Sequence, residues 1–455
     1  MIGFSERASA ACAVGCTLTV FCGIMVVELP ADAERTCSMR PTPRCRESSH
    51  ALVMLVLCLA GLALAMTPAP APAQGRTALT VEPLSSPAGA DSSEPQMTVQ
   101  GERVILSWLE GGEERSTLKF AERSASGWSA PRSVHSSDEI YVNAYDVPSV
   151  RALADGSLAA HWPEKNGPNP EASTVRLSWS RDQGRTWSAP VSPHHDGTQT
   201  QHGFVTLFQA PGAPGAGLGV VWLDGRSTNP EKATGDIALR ASVHAADGKQ
   251  LGETLVDSRV CECCSTSAAA TSEGVIVAYR DRSANEVRDI YVTRFTGSAW
   301  TAPTLVHQDG WQINGCPING PSVSARGRAV AVAWFTAKDN QGQAYVAFSG
   351  DGGRAFGPAV RVDDGRSLGR LGVHLLADGS AAVSWVELAN SRAEFRLRTV
   401  TPNGVRSPAL TVSEDPDTRS PKLAGNEREL VLAWTEFDEN DVSRVRTARV
   451  SLTAK

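Results

Sequence analysis

The segment GVVWLD (Gly219–Asp224) contains a pattern that recurs along the chain. A run of β-branched or small residues precedes a tryptophan, and a carboxylate follows two positions later. Such a short apolar run is typical of a buried β-strand. The aromatic residues of the seven copies, which have a mean step of about 54 residues, are Trp108, Trp162, Trp222, Tyr279, Trp334, Trp385 and Trp434.

Each copy is followed by a polar loop and by further strand-like segments, so that one repeat holds four strands. Four strands per repeat at this period are typical of a β-propeller blade. The sequence therefore predicts an all-β fold, a single β-propeller domain over residues 77–452 with seven four-stranded blades. Six blades would result if one repeat were irregular. The last repeat lacks an outer strand, which residues 77–85 can supply, and such closure removes exposed sheet edges.

The first 75 residues have a different composition from the rest. An apolar run at 51–65 follows Arg40, Arg44 and Arg46 and precedes an Ala-Pro-Ala segment that ends at Ala73. This order is typical of a secretory signal peptide, predicted here over 39–73. Residues 1–38 are interpreted as a misassigned start or an extra leader, with an N-terminal membrane anchor as the alternative. We expect an exported protein, periplasmic or extracellular.

The net charge of −6 and the lack of long Lys/Arg runs argue against a nucleic-acid partner. We expect a monomer whose partner is a glycan or a cell-surface or extracellular protein.

A resemblance to a known family rests on the segment SRDQGRTW (Ser180–Trp187), which fits the pattern S-x-D-x-G-x-T-W. The segment SGDGGRAF (Ser349–Phe356) is a weaker copy. The chain thus resembles the Asp-box (BNR-repeat) propellers of the sialidase superfamily. The resemblance implies that these boxes are structural turns on the face away from the active site. The residues given this structural role are Ser180, Asp182, Gly184, Trp187, Ser349, Asp351, Gly353 and Phe356.

The resemblance does not extend to the catalytic motifs of sialidases. Those enzymes need three arginines for the substrate carboxylate, an activated tyrosine and an acid/base carboxylate. The family's F/Y-R-I-P segment is absent, and no tyrosine follows Tyr345. Whether the protein is an enzyme therefore stays open. If it is one, a sialidase-like glycoside hydrolase is expected, with catalytic candidates Asp146, Tyr145, Asp224, Arg226, Arg280, Asp281, Arg282 and Arg370.

The carboxylates that follow the landmark aromatics have two interpretations. They tie the loops of each blade together by charge-assisted hydrogen bonds, or they form a ring of acids around a ligand pocket. Irregular loops between blades often carry binding functions. The ligand-binding candidates in these loops are Trp311, Asn314, Asn319, His202 and Arg419.

Every cysteine after the predicted leader lies in two short loops that should enter adjacent blades on the same face. They are Cys261, Cys263, Cys264 and Cys316. A disulfide between the two loops is the first interpretation. A soft-metal site of thiolates for zinc or cuprous copper is the second, and no other cofactor is expected.

These observations leave three functions open. The first is a propeller braced by its cysteines that binds a glycan or protein on the face of the inter-blade loops. The second is a glycoside hydrolase with a non-standard Arg/Asp site, and the third is soft-metal binding by the cysteines.

Overall fold

The computed structural model describes residues 79–452 except 113, 216, 230, 231, 233, 390, 416 and 417. The predicted signal peptide and the residues before it lie outside this range. The described residues are β-strands, turns and loops, with one short 3-10 turn at Lys338–Asn340. None of their helices has the length and the apolar character needed to cross a lipid bilayer.

The strands form seven antiparallel sheets, as the repeat predicts. Blade 1 contains β2 (Ser92–Gln100), β3 (Arg103–Gly112), β4 (Arg115–Ser124), β5 (Gly127–Trp128) and β6 (Arg132–Ser137). Blade 2 contains β7 (Ser149–Ala152), β8 (Leu158–Lys165) and β9 (Ser173–Ser180), with a bridge between Leu177 and Val191 at its outer edge. Blade 3 contains β10 (His202–Gln209), β11 (Leu218–Asp224), β12 (Ala238–His244) and β13 (Gln250–Asp257).

The remaining blades repeat the same order of strands. Blade 4 contains β14 (Ser267–Thr271), β15 (Gly274–Arg280), β16 (Ile290–Phe295) and β17 (Thr304–His307). Blade 5 contains β18 (Ser322–Arg326), β19 (Ala329–Thr336), β20 (Gln343–Ser349) and β21 (Val360–Arg361). Blade 6 contains β22 (Arg366–Leu375), β23 (Ala381–Ala389), β24 (Arg392–Val400) and β25 (Leu410–Ser413). Blade 7 contains β26 (Arg419–Gly425), β27 (Glu429–Phe437), β28 (Ser443–Ser451) and β1 (Val81–Leu84).

The ring is closed by the N-terminal strand, as predicted. Strand β1 pairs antiparallel with β28, which places Val81 opposite Val450. Arg449 also donates to the Glu82 carboxylate at 2.7 Å. The first and last described strands of the chain therefore share one sheet. Strand β1 covers the outer edge of β28, which would otherwise be unpaired.

The landmark aromatics lie in the second strand of each blade and fill the contacts between blades. Trp222, for example, is fully buried and packs in one cluster with Leu153 and Leu177 of the preceding blade. The blades thus stack face against face around the ring. The apolar runs that flank each landmark are buried on both sides for this reason.

In five of the seven described blades, the carboxylate two positions after the landmark tryptophan accepts a hydrogen bond from the indole. The Nε1–Oε or Nε1–Oδ distance is 2.7 Å for Trp222 and Asp224 and 2.9 Å for Trp385 and Glu387. The same contact is made by Trp108 with Glu110, Trp162 with Glu164 and Trp434 with Glu436. A buried indole N–H needs an acceptor, which explains why the acid recurs.

Blades 4 and 5, whose landmarks depart from the pattern, satisfy the same need in other ways. In blade 5, Thr336 stands where the acid should be, and Asp309 from the preceding loop accepts from Trp334 at 2.7 Å. In blade 4 the Tyr279 hydroxyl donates to Asp257 at 2.7 Å.

The segment 180–187 forms a tight turn after the third strand of blade 2. Asp182 accepts from the backbone N–H groups of Thr186 and Arg185 at 2.9 and 3.0 Å, and these bonds hold its pKa well below the ordinary range. Gly184 has a φ of 79°, and a Cβ there would lie 2.4 Å from the ring of Phe120. Asp351 makes the equivalent contacts in blade 5.

Candidate functional site

The loops between blades lie on one face of the ring, called here the loop face, and surround the mouth of the central channel. The channel encloses a cavity of about 500 Å³, which is in the range of small-molecule sites. The innermost strands line it, with Tyr145, Asn319, Arg370, Ser420 and Lys422 among the lining residues.

The innermost strands of four blades have irregular pairing near their first residues, at the end of each strand that lies on the loop face. Pairing shifts register in β2, β10, β22 and β26, and one non-glycine residue in each has left-handed backbone. These residues are Glu94 (φ 54°), Phe204 (φ 54°), Arg370 (φ 58°) and Ser420 (φ 48°). None is a glycine, so each such conformation costs about 1–3 kcal/mol. Strain of this kind clusters at functional sites, which makes the channel mouth the first candidate.

Five residues from four segments meet at this place and are called here the mouth cluster: Glu94, Tyr145, Arg370, Ser420 and Lys422. The Ser420 hydroxyl donates to the Glu94 carboxylate at 2.6 Å and lies 3.0 Å from the carbonyl oxygen of Ala144. The guanidinium of Arg370 lies 4.6 Å from the ring centre of Tyr145, a cation–π contact. The cluster therefore combines two cations, a carboxylate and an aromatic ring.

The cations of the mouth cluster are held without a carboxylate partner. Arg370 Nη1 donates to the carbonyl oxygen of Ile318 at 2.6 Å, and its backbone N–H donates to Asn319 Oδ1 at 2.9 Å. Within the described residues, neither Arg370 nor Lys422 forms an ion pair. The charge of Glu94 acts on both cations across the cluster but forms no salt bridge with either, so each can still pair with an anionic ligand.

Burial shifts the pKa values of Lys422 and Glu94, the two oppositely charged groups of the mouth cluster. It lowers the pKa of Lys422 to about 8, against the opposing field of Glu94 and with a smaller contribution from Arg370. It also raises the pKa of Glu94, although the hydrogen bond from Ser420 and the charge of Lys422 oppose this. Perturbed groups that converge in a cavity are typical of functional sites.

Of the predicted catalytic residues, the structure brings Tyr145 and Arg370 together and places the others elsewhere. Asp224 is fully buried and forms a bidentate pair with Arg226, at 2.7 Å for both bonds. Arg282 forms a similar pair with Glu286. These contacts lie inside single blades, as the loop-tying interpretation expects. The catalytic roles of these residues stay predictions.

Of the other predicted acids, Asp146 is buried in the loop that enters blade 2, and Asp281 is partly buried in the loop between β15 and β16 of blade 4. Asp146 accepts from the backbone N–H of Phe204 at 2.7 Å, and its desolvation raises its pKa to about 7. Burial, with a smaller contribution from Asp257, raises the pKa of Asp281 to about 6. Arg280 is 1% exposed, and its guanidinium donates to the backbone carbonyls of Asn319, Arg288 and Phe335.

The predicted ligand-binding residues lie at different depths. Trp311 is only 6% exposed, because it packs edge-on against Phe335 and under Arg280. Sugar stacking by Trp311 stays a prediction that this burial does not favour. Asn319 is also buried and bonds to the bulge at Arg370. Asn314 and Arg419 are exposed, the latter with its guanidinium over Phe437.

His202 is fully buried in a second group of titratable side chains. Its ring stacks on His194 at 3.9 Å, and its Nε2 lies 3.2 Å from Asp196 Oδ2. The backbone N–H of Val175 donates to Nε2 of His194, so that Nδ1 of His194 carries the proton toward Asp196. Burial, followed by the charge of His202, lowers the pKa of His194 to about 4.

The four cysteines meet where the loops into blades 4 and 5 adjoin, as the repeat predicts. A disulfide joins Cys263 to Cys316, and Cys261 and Cys264 are buried free thiols. The Sγ atoms of Cys261 and Cys263 are 3.8 Å apart. Burial would raise the pKa of Cys261, but Cys264 and Arg280 lower it to about 7, whereas burial and Cys261 raise that of Cys264.

Sequence reasoning missed Glu94, Ser420 and Lys422. A signal for two of them is present, because Glu94 and Ser420 each directly precede a proline at the start of an innermost strand. The periodic pattern of the landmarks gave no reason to examine these positions.

The strands define a seven-bladed β-propeller. Three solved structures similar to this chain are an intramolecular trans-sialidase from Ruminococcus gnavus, a sialidase from Streptococcus pneumoniae and a polysaccharide lyase. Their identities are 11%, 8% and 12%, and their TM-scores are 0.45, 0.45 and 0.47. The alignments cover 67%, 77% and 79% of this chain and 94%, 83% and 89% of the respective structures.

These likenesses concern the fold alone. No protein-family model matches the chain, and no curated protein matches it.

Proposed function

We propose that the protein is an exported binding propeller whose channel mouth holds an acidic glycan, one that carries carboxylate or sulfate groups. The observation that carries this proposal is that Arg370 and Lys422 face the cavity without an ion-pair partner in the described residues. The arginines beside the landmarks differ, since Arg226 and Arg282 are paired with acids of their own blades.

The remaining parts of the mouth cluster suit a sugar ring. Tyr145 is 39% exposed, and Arg370 lies over its ring. Aromatic rings with one polar edge supply large contact areas to amphipathic ligands. The disulfide between Cys263 and Cys316 braces the adjacent loops, which keeps the mouth preorganised.

Hydrolysis is the alternative that the sequence left open, and the channel mouth favours binding over it. Glycoside hydrolysis by two carboxyl groups needs them about 5–9.5 Å apart across the bond. Among the described residues that line the cavity there is no aspartate or glutamate, and the mouth cluster contributes Glu94 alone. Its carboxylate is also engaged by Ser420.

The test is calorimetric titration with oligosaccharides that contain uronate or sialate, beside neutral oligosaccharides of the same length. We expect binding of an acidic series, with Arg370→Ala weakening it about 10- to 100-fold, the usual value of a hydrogen bond to a charged group. Arg326→Ala is the matched control, because Arg326 ends an innermost strand and pairs with the exposed Glu427.

Three outcomes would reject this proposal. They are equal affinity for neutral and acidic sugars, equal loss in the control variant, and release of reducing ends during the titration. Binding of a protein ligand unaffected by Arg370→Ala would also place the ligand elsewhere on the loop face.

The charge of Lys422 predicts a pH dependence of this binding. Because its pKa is lowered to about 8, Lys422 is charged below that pH and neutral above it. Affinity for an anionic ligand should therefore fall as the pH rises from 7 to 9, and the Lys422→Arg variant should keep its affinity over this range. A flat profile in the unmodified protein would show that Lys422 does not contact the ligand.

A further inference from the structure

Two sulfurs of the loop face are buried beneath the disulfide and are not part of it. Cys261 and Cys264 are 1% and 2% exposed, and neither is oxidised. Their Sγ atoms lie within 4.8 Å of one another and are in hydrogen-bond contact. Both side chains therefore point at a common position from which water is excluded.

The surroundings of this sulfur pair donate to it from several directions. Arg288 Nη1 lies 3.5 Å from the Cys261 sulfur, and the backbone N–H groups of Cys263 and Asn319 donate to Cys261 and Cys264, respectively. Donors of this kind around sulfur are the outer contacts that metal-bound thiolates have in proteins.

A second observation points to a negative charge at the same place. Arg280 is a fully buried guanidinium whose hydrogen bonds go to backbone carbonyls, and within the described residues it forms no ion pair. A buried cation without a counter-charge is strongly unfavourable. The sulfur pair lies within the electrostatic reach of Arg280. Asp289 also lies within the electrostatic reach of Arg280, and an anionic group centred on Cys261 and Cys264 would add to this counter-charge.

We propose that Cys261 and Cys264 bind one monovalent copper ion as a two-coordinate bis-thiolate site, with the Cys263–Cys316 disulfide intact. Two thiolates and one cuprous ion carry a single net negative charge, which Arg280 balances. Thiolate is the ligand type that selects cuprous copper.

The number of free sulfurs argues against zinc at this place. A zinc site of this kind has four ligands, and a catalytic one completes its set with water. The disulfide removes Cys263 and Cys316 from the ligand set, and the burial of the remaining pair leaves no solvent to replace them. A two-coordinate copper ion needs neither additional protein ligands nor water.

The experiment is an anaerobic titration of the oxidised, metal-free exported protein, without its predicted leader, with cuprous ion, in competition with the chromogenic chelator bicinchoninate. We expect one cuprous ion per chain. The Cys261→Ser and Cys264→Ser variants should lose this binding, whereas the double variant Cys263→Ser/Cys316→Ser should keep it. The double variant is the matched control, because it changes two neighbouring cysteines and spares the pair.

A second measurement on the unmodified protein does not depend on how the variants fold. Peptide mass analysis after alkylation in denaturant should find Cys261 and Cys264 alkylated in the metal-free protein, because the proposed site needs both thiols reduced. The proposal is overturned if these two cysteines are already joined in a disulfide. It is also overturned if the chelator retains all of the copper, or if binding persists in both single variants.

Discussion

Replacing Asp224 by alanine is expected to lower the free energy of unfolding by about 3–5 kcal/mol, the usual effect of removing one partner of a buried ion pair. The Asp224 side chain is fully buried and accepts from the Trp222 indole and from three N–H groups of Arg226. Its removal leaves the buried indole N–H without an acceptor and takes away the bidentate partner of Arg226, which keeps only its contacts with Glu253 and Asp196. Urea unfolding followed by tryptophan fluorescence would measure the loss.

Two further variants separate the contributions of this residue. Asp224→Asn keeps an acceptor for the indole and loses the ion pair, so we expect about half of the alanine effect. Asp236→Ala removes a half-exposed partner of Arg259 in the same blade and should change stability by less than about 1 kcal/mol. An Asp224→Ala variant as stable as Asp236→Ala would contradict the structural role of the recurring acid.

The protonation of Asp224 determines how the stability loss in Asp224→Ala depends on pH. Burial by itself would raise its pKa, but Arg226, His202 and the Trp222 indole outweigh burial, and the pKa lies below its ordinary value. For a carboxylate with a depressed pKa, the stabilisation is complete above the unfolded-state pKa and fades as the pH falls through the folded-state pKa. The difference between the unmodified protein and Asp224→Ala should therefore be full at neutral pH and shrink in acid.

Loss of the Cys263–Cys316 disulfide has the second large expected effect. The bridge spans 53 residues, and the chain-entropy relation gives about 4 kcal/mol for a loop of this length. The Cys316→Ser variant should therefore unfold at a clearly lower urea concentration. Reductant should shift the unmodified protein to the same midpoint and leave the variant unchanged.

The design of the disulfide experiment needs a control for the neighbouring thiols. Cys261→Ser removes a buried sulfur and leaves the bridge in place, so that its midpoint should still respond to reductant. The measurement is made with a chelator present, which keeps metal binding at Cys261 and Cys264 out of the comparison. A midpoint of the unmodified protein that does not respond to reductant would show that the bridge contributes no stability.

The spacing of the landmarks was sufficient to predict the architecture. A tryptophan in the second strand must be buried between blades, so its recurrence counts the blades. The same repeat placed Cys316 beside the Cys261–Cys264 segment, because loops that enter adjacent blades on one face are neighbours whatever their separation in sequence. The closing strand followed from the missing outer strand of the last repeat.

The role of the recurring acid could not be read from the pattern alone. Both interpretations looked to the blade loops or to a ligand, whereas the partner that recurs in five blades is the landmark indole itself. The substitution of Asp309 for the missing acid in blade 5 shows the reason. The indole needs an acceptor at one point in space, and residues from different parts of the chain can reach that point.

The sequence by itself determined the strands, the number of blades, the closure of the ring and the adjacency of the cysteine loops, because all of these follow from local patterns repeated at a fixed period. Only the tertiary structure brought Glu94, Tyr145, Arg370 and Lys422 to one channel mouth. These residues come from blades 1, 6 and 7 and from the loop into blade 2. Their convergence depends on the closed ring and on bulges that turn single residues toward its axis. The periodic pattern of the sequence contains no information about how these particular side chains are brought together.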